Sequence, residues 1–204
     1  WVDRQPYFLP LIGDEIADEI KARKGVFILF HLRSTDSGMA DVATLSPIPT
    51  PFAGAAAVAR GVSRLFLRNQ IMVQPEVSLR NNRRADLMGI NAKGEIILVE
   101  IKCARADLLG DQKWTEYLDY CDRFFWAVPA GFDISPLHGE SYLPERAGLI
   151  IADAYDAEIA RPAALVPLAS ARRKTETQRL ARLAMRRLMG IADPDPLLAE
   201  IEAE

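Results

Sequence analysis

The chain has 204 residues, of which 50% are hydrophobic and 26% charged, with a formal net charge of −3. That length supports one sizeable core, and the mildly acidic balance excludes a protein that coats nucleic acid by bulk charge, so DNA contacts must come from local basic patches. No apolar run is long enough for a membrane-spanning helix. The two cysteines, Cys103 and Cys121, cannot build a disulfide framework or a four-cysteine zinc site.

Residues 1–38 show no clean period, and the apolar run Val26-Phe27-Ile28-Leu29-Phe30 is too short for a signal-peptide core. Met39-Ala40-Asp41-Val42 has the composition of an ordinary protein start. The expected organisation is an N-terminal extension over 1–51 with the natural start at Met39, one domain over 52–190, and an acidic tail over 191–204. A helix is predicted over 52–68, with Val58, Val62, Leu65 and Phe66 as its buried stripe. Arg60, Arg64 and Arg68 recur on another face, either as a solvated basic surface or as a ridge facing phosphates.

Three strands follow over 71–79, 84–90 and 95–103, the last two joined by a turn at Asn91-Ala92-Lys93-Gly94. Ile96-Ile97-Leu98-Val99 reads as a central strand covered on both faces. A second helix is predicted over 107–122, capped by Asp107, with Trp114, Tyr117, Leu118 and Cys121 on one stripe. Phe124 to Val128 and Leu149 to Ala152 read as further strands, separated by a loop. An acidic turn at Asp153 and Asp156 and a linker over 162–167 precede a last helix over 172–188. That helix packs Leu180, Leu183, Ala184 and Leu188. It carries Arg172, Arg173, Lys174, Arg179, Arg182, Arg186 and Arg187 against one acid, Glu176. The fold class is α/β, a mixed sheet flanked by helices.

The chemistry concentrates in Arg83-Arg84-Ala85-Asp86 and Val99-Glu100-Ile101-Lys102. Side chains alternate along a strand, so Glu100 and Lys102 share one side while Ile97, Val99 and Ile101 enter the core on the other. The hairpin turn brings Asp86 alongside Glu100. Two neighbouring carboxylates call for a cation, and hard oxygen ligands suit Mg²⁺ or Mn²⁺. The Ile101 carbonyl is a third candidate oxygen, and Lys102 sits where it can hold a water. Spacing alone equally admits a strand-end ion pair between Glu100 and Lys102, with Asp86 an unrelated turn carboxylate. No histidine is placed to activate either cysteine.

Asp86, thirteen intervening residues and then Glu100-Ile101-Lys102 resemble the signature of the PD-(D/E)xK nuclease superfamily. Together with Asp111-Gln112-Lys113-Trp114-Thr115-Glu116-Tyr117 and Asp119-Tyr120-Cys121-Asp122-Arg123, the text resembles the MmcB family of bacterial DNA repair proteins over roughly 52–190. The resemblance implies a restriction-endonuclease-like core, a role in DNA repair, metal ligation by Asp86 and Glu100, and a catalytic position for Lys102. The acid many superfamily members carry in the first helix is missing, and Glu76 on the next strand is the candidate replacement. Ala85 stands where the signature has proline, a chemically silent change. Gln112 and Lys113 are the polar candidates after Lys102.

DNA is the expected partner, with other repair proteins possible beside it, and the expected setting is the bacterial cytoplasm. Arg60, Arg64, Arg83, Arg84, Arg172, Arg173, Lys174, Arg179, Arg182 and Arg186 are the candidate phosphate contacts. A basic amphipathic helix also suits a membrane surface, but the phosphate-chemistry candidate in the same chain favours DNA. Three functions follow for comparison: a metal-dependent endonuclease, a repair or mutagenesis accessory that binds DNA without efficient cleavage, and a domain acting through protein contacts.

Overall fold

The computed structural model describes residues 54–193. The expected start at Met39 and the extension over 1–51 lie outside the described residues, as does the acidic tail beyond 193.

Six strands form one sheet in chain order: β1 Met72–Ser78, β2 Arg84–Ile90, β3 Ile96–Ile101, β4 Arg123–Pro129, β5 Ala147–Ala152 and β6 Ala157–Arg161. The β1/β2 and β2/β3 pairs are antiparallel, β3/β4 and β4/β5 are parallel, and β6 returns antiparallel to β5. The expected α/β architecture is therefore present, with the strands bearing Asp86 and Glu100 adjacent and antiparallel. β3 is buried along its whole length. This is why its sequence is apolar without alternation.

Helix α1, Ala55–Arg68, buries Val58, Val62, Leu65 and Phe66 on one face of the sheet, against Ile97, Val99, Ile101, Phe125 and Ile150. Gly61 permits the approach, since a Cβ there would lie 2.2 Å from the Asp153 carbonyl oxygen. The helix is then fastened to the β5–β6 turn. Arg64 donates to the Tyr155 carbonyl at 2.9 Å, and Arg68 pairs with Asp156. Of the periodic arginines, Arg60 stays exposed without such a tie to the turn.

The opposite face holds the second core. Met88, Ile96, Leu98, Phe124 and Trp126 pack under Leu108, Trp114, Tyr117 and Leu180. The continuous helix expected over 107–122 is absent. A short α2, Arg105–Gly110, ends at Asp111, and the chain resumes as a 3₁₀ helix, Trp114–Tyr120. The buried residues of that segment are Trp114, Tyr117 and Tyr120. Their spacing of three is the 3₁₀ period, which stacks side chains three apart on one line. Trp114 thereby reaches Trp126, with ring centroids 5.1 Å apart.

Two further elements differ from expectation. β6 carries little strand signal, because its burial alternates between intermediate and exposed and it has a single large apolar residue, Ile159. The last helix, α3, runs over Ser170–Ala192 and outlasts its expected span at both ends. Leu180 is buried, but Leu188 is 66% exposed rather than packed. There the helix is held to edge strand β1 by Arg187, which donates to the Gln74 side chain at 2.9 Å and the Pro75 carbonyl at 2.7 Å.

Asp122 joins these layers and is fully buried. Its carboxylate accepts from the Ile96 N–H and the Leu168 N–H, each at 2.7 Å, and pairs with Arg173. One side chain thus ties the start of β3 to the loop before α3 and to α3 itself.

Candidate active site

The candidate centre lies where β2 and β3 separate. Their register runs from Ile90↔Ile96 to Leu87↔Val99. Beyond it, the Ile101 N–H donates to Asp86 Oδ2 at 2.6 Å instead of to a strand carbonyl. The expected neighbours Asp86 and Glu100 are therefore brought together, with the Ile101 backbone tied to Asp86. On its other side β3 pairs with β4, setting Glu100 against Trp126. The Lys102 N–H donates to the Ala127 carbonyl at 2.9 Å, which holds the chain just past β3.

Glu100 and Lys102 are both buried, at 6% and 4% exposure. Lys102 Nζ lies 3.1 Å from Glu100 Oε1, 2.9 Å from Asp111 Oδ2 and 3.6 Å from Asp107 Oδ1. Burial raises the Glu100 carboxyl, and Asp86 raises it further against the pull of Lys102, bringing it to about 7. Burial likewise raises Asp86, with the Ile101 N–H and Lys102 opposing. Burial alone would lower the Lys102 ammonium, but Glu100 and Asp111 outweigh it and raise it. Lys102 is therefore a firmly held cation.

Glu100 Oε2 is buried and has no hydrogen-bond partner. An unpaired carboxylate oxygen beside a second carboxylate is the donor set of a hard cation. Among the described residues, no group of three or more His, Cys, Asp or Glu is arranged to hold a metal ion. An ion held by Asp86 and Glu100 would have to keep much of its shell as water or phosphate oxygen, as Mg²⁺ can. Glu76, the candidate replacement ligand, is half-exposed and pairs with Arg84 at 2.6 Å. Its φ of 52° puts it in the left-handed region, opposite the splayed end of β2.

Sequence reasoning missed Asp111. Gln112 and Lys113 are exposed, while Asp111 just before them turns inward to Lys102. The signal was present in Gly110, a residue that ends helices. Arg83, expected to face phosphate, instead bridges acids. Its Nε lies 2.7 Å from Glu116 Oε2 and its Nη1 3.5 Å from Asp111 Oδ1, with its guanidinium 5.3 Å from the Tyr117 ring centroid. Tyr117 donates to the Arg84 carbonyl at 3.2 Å, and burial together with Glu100 pushes its phenol up to about 12.

The basic helix is likewise partly turned inward. Arg173 pairs with Asp122, and Arg179 pairs with Glu176 and donates to the Ser78 carbonyl. Arg172 is 5.0 Å from the Tyr120 ring centroid and 4.0 Å from Glu176, and it keeps 41% of its side chain exposed. Lys174 and Arg182 are exposed, and Arg186 is half-buried. The outward charge of α3 is smaller than its arginine content suggests.

The sequence pattern of the MmcB-like family, described as DNA repair protein MmcB-like, matches residues 52–195. The chain belongs to the MmcB-like family of DNA repair proteins. No curated protein matches it. Among solved structures, a protein of unknown function from Silicibacter pomeroyi is 45% identical to this MmcB-like chain. The match covers 68% of this chain and 91% of that one, with a TM-score of 0.60. The family thus gives the DNA-repair context, and the solved relative shares the α/β domain. Among the described residues, no helix is long and apolar enough to cross a membrane.

Proposed function

We propose that this protein is a divalent-cation-dependent nuclease of DNA repair, hydrolysing phosphodiester bonds at Asp86, Glu100 and Lys102. The observation that carries this reading is Glu100: a buried carboxylate beside Asp86, with one oxygen given to Lys102 and the other without a partner. Burying such a group is costly unless it is compensated. The resemblance to PD-(D/E)xK nucleases, which use the same three residue types at such a centre, supports it.

Asp86 and Glu100 would hold Mg²⁺ or Mn²⁺, with Asp86 fixed to the end of β3 by the Ile101 N–H. Such an ion, when bound, supplies Lewis acidity and a bound water more acidic than bulk water. Lys102 is held as a cation by Glu100 and Asp111, which suits it to orient a water and to stabilise charge on phosphoryl oxygens. General-base work is disfavoured, because the same carboxylates oppose loss of its proton. Arg60, Arg80, Lys174 and Arg182 are exposed and would supply contacts to the phosphate backbone, which fix register without reading bases.

A specific observation supports a second reading, a DNA-binding repair accessory with little cleavage. Glu76 is engaged by Arg84, and no third acid joins the pair among the described residues. The deciding experiment is single-turnover cleavage of duplex, single-stranded and branched DNA with Mg²⁺ or Mn²⁺. Lys102→Ala is expected to slow cleavage roughly 100-fold, and Glu100→Gln to abolish cation-dependent cleavage. Salt-sensitive DNA binding by the wild type, without cleavage of any form, would transfer the conclusion to the accessory reading.

A further inference from the structure

Lys102 is set among three carboxylates, and they are not equivalent. Glu100 is a candidate cation ligand, Asp107 is 58% exposed and 3.6 Å away, and Asp111 is 13% exposed and 2.9 Å away. A buried ammonium needs a partner, since leaving it unpaired is strongly destabilising. Its attraction to Glu100 also competes with any cation for the same carboxylate. A divalent ion at Glu100 and an ammonium 3.1 Å from Glu100 Oε1 would repel each other across that group.

Asp111 resolves this conflict. It stands outside the Asp86–Glu100 pair, makes the shorter contact to Lys102, and is held from behind by Arg83, which is anchored in turn on Glu116. The break after Gly110 sets it there, because its backbone, at φ −85° and ψ 72°, has left the helix. We propose that Asp111 is a positioning residue: it retains the Lys102 ammonium so that Glu100 can be given to a divalent cation without leaving a buried charge unpaired. This rests on the reading of Asp86 and Glu100 as cation ligands.

The test is Mn²⁺ binding to the full chain without DNA, followed by the electron paramagnetic resonance signal of free Mn²⁺. Four proteins are compared: wild type, Asp111→Asn, Lys102→Met and the double variant. In the presence of Lys102, Asp111→Asn is expected to weaken Mn²⁺ by about tenfold, a size typical of coupling between contacting charges. In the Lys102→Met background the same change should have at most about a twofold effect, because no ammonium then competes for Glu100. Equal losses in both backgrounds would make Asp111 a ligand or a bulk charge and overturn the proposal. So would an unchanged affinity in Asp111→Asn. Absence of Mn²⁺ binding by the wild type would overturn it too, while single-turnover cleavage of DNA decides the nuclease reading separately in every case. Should Asp111→Asn not fold, Asp111→Glu, which keeps the charge but displaces it by one methylene, provides the same comparison. Its affinity should fall only while Lys102 is present, and a loss independent of Lys102 would refute the assignment.

Discussion

Replacing Glu100 with glutamine should make the protein more stable while removing the proposed cation site. The folded environment raises the Glu100 carboxyl from an ordinary 4.5 to about 7, through burial first and Asp86 second. A carboxyl raised on folding binds its proton more tightly in the native state. Its stabilising contribution is complete below pH 4.5 and is lost as pH rises through 7. Ionising it in place costs roughly 3 kcal/mol at pH 8. Glutamine approximates the neutral acid, so Glu100→Gln should match the wild type near pH 4 and exceed it by about 3 kcal/mol at pH 8. For a chain of this size that corresponds to a rise in Tm of about 6–12 °C. Lys102 keeps Asp111 as its partner in the variant. Thermal and urea unfolding at both pH values measure the effect. Added Mn²⁺ should stabilise the wild type by mass action and leave the variant unmoved. A variant no more stable than wild type at pH 8, or a difference independent of pH, would refute the claim that Glu100 is held at an energetic cost.

Asp122→Ala removes the acceptor of two backbone N–H groups and the partner of Arg173. It should cost about 3–5 kcal/mol in urea unfolding without touching the proposed cation site. Burial alone would raise the Asp122 carboxyl, but Arg173 and the Ile96 and Leu168 N–H groups hold it below its usual 3.8. Its stabilisation is therefore present above pH 4 and lost as pH falls further, so an acid-unfolding profile of the variant should lack that limb. On the surface, Lys174→Ala and Arg182→Ala should weaken every DNA form similarly and reduce the salt slope by roughly one for each phosphate no longer neutralised. Their Tm should be unchanged, as checked by fluorescence anisotropy across salt concentrations beside thermal melts. Affinity unaffected by both changes would move the DNA surface away from α3.

The physical basis of what could be read in advance differs from element to element. Val58, Val62, Leu65 and Phe66 predict α1 because a helix with one buried face must repeat its apolar residues every three to four positions. The unbroken apolar run of β3 and the turn before it likewise predict a central strand antiparallel to β2, and this alone juxtaposes Asp86 and Glu100. Local rules suffice there because the interactions lie within a hairpin or on one helical face. The segment after Lys102 is different. Its helical pattern is real but weak, and the packing of Trp114, Tyr117 and Tyr120 on the sheet selects a 3₁₀ turn. That choice rotates Asp111, rather than Gln112 or Lys113, toward Lys102. The arginines of α3 show the same dependence. Sequence identifies their charge, but whether a guanidinium meets solvent or a buried carboxylate is decided by partners far along the chain, as with Arg173 and Asp122 or Arg187 and the edge strand β1. The sequence by itself therefore determined five of the six strands, the first helix and the carboxylate pair. Only the tertiary structure decided which charges hold the protein together and which remain exposed, because that allocation depends on long-range ion pairing in a buried, low-dielectric setting.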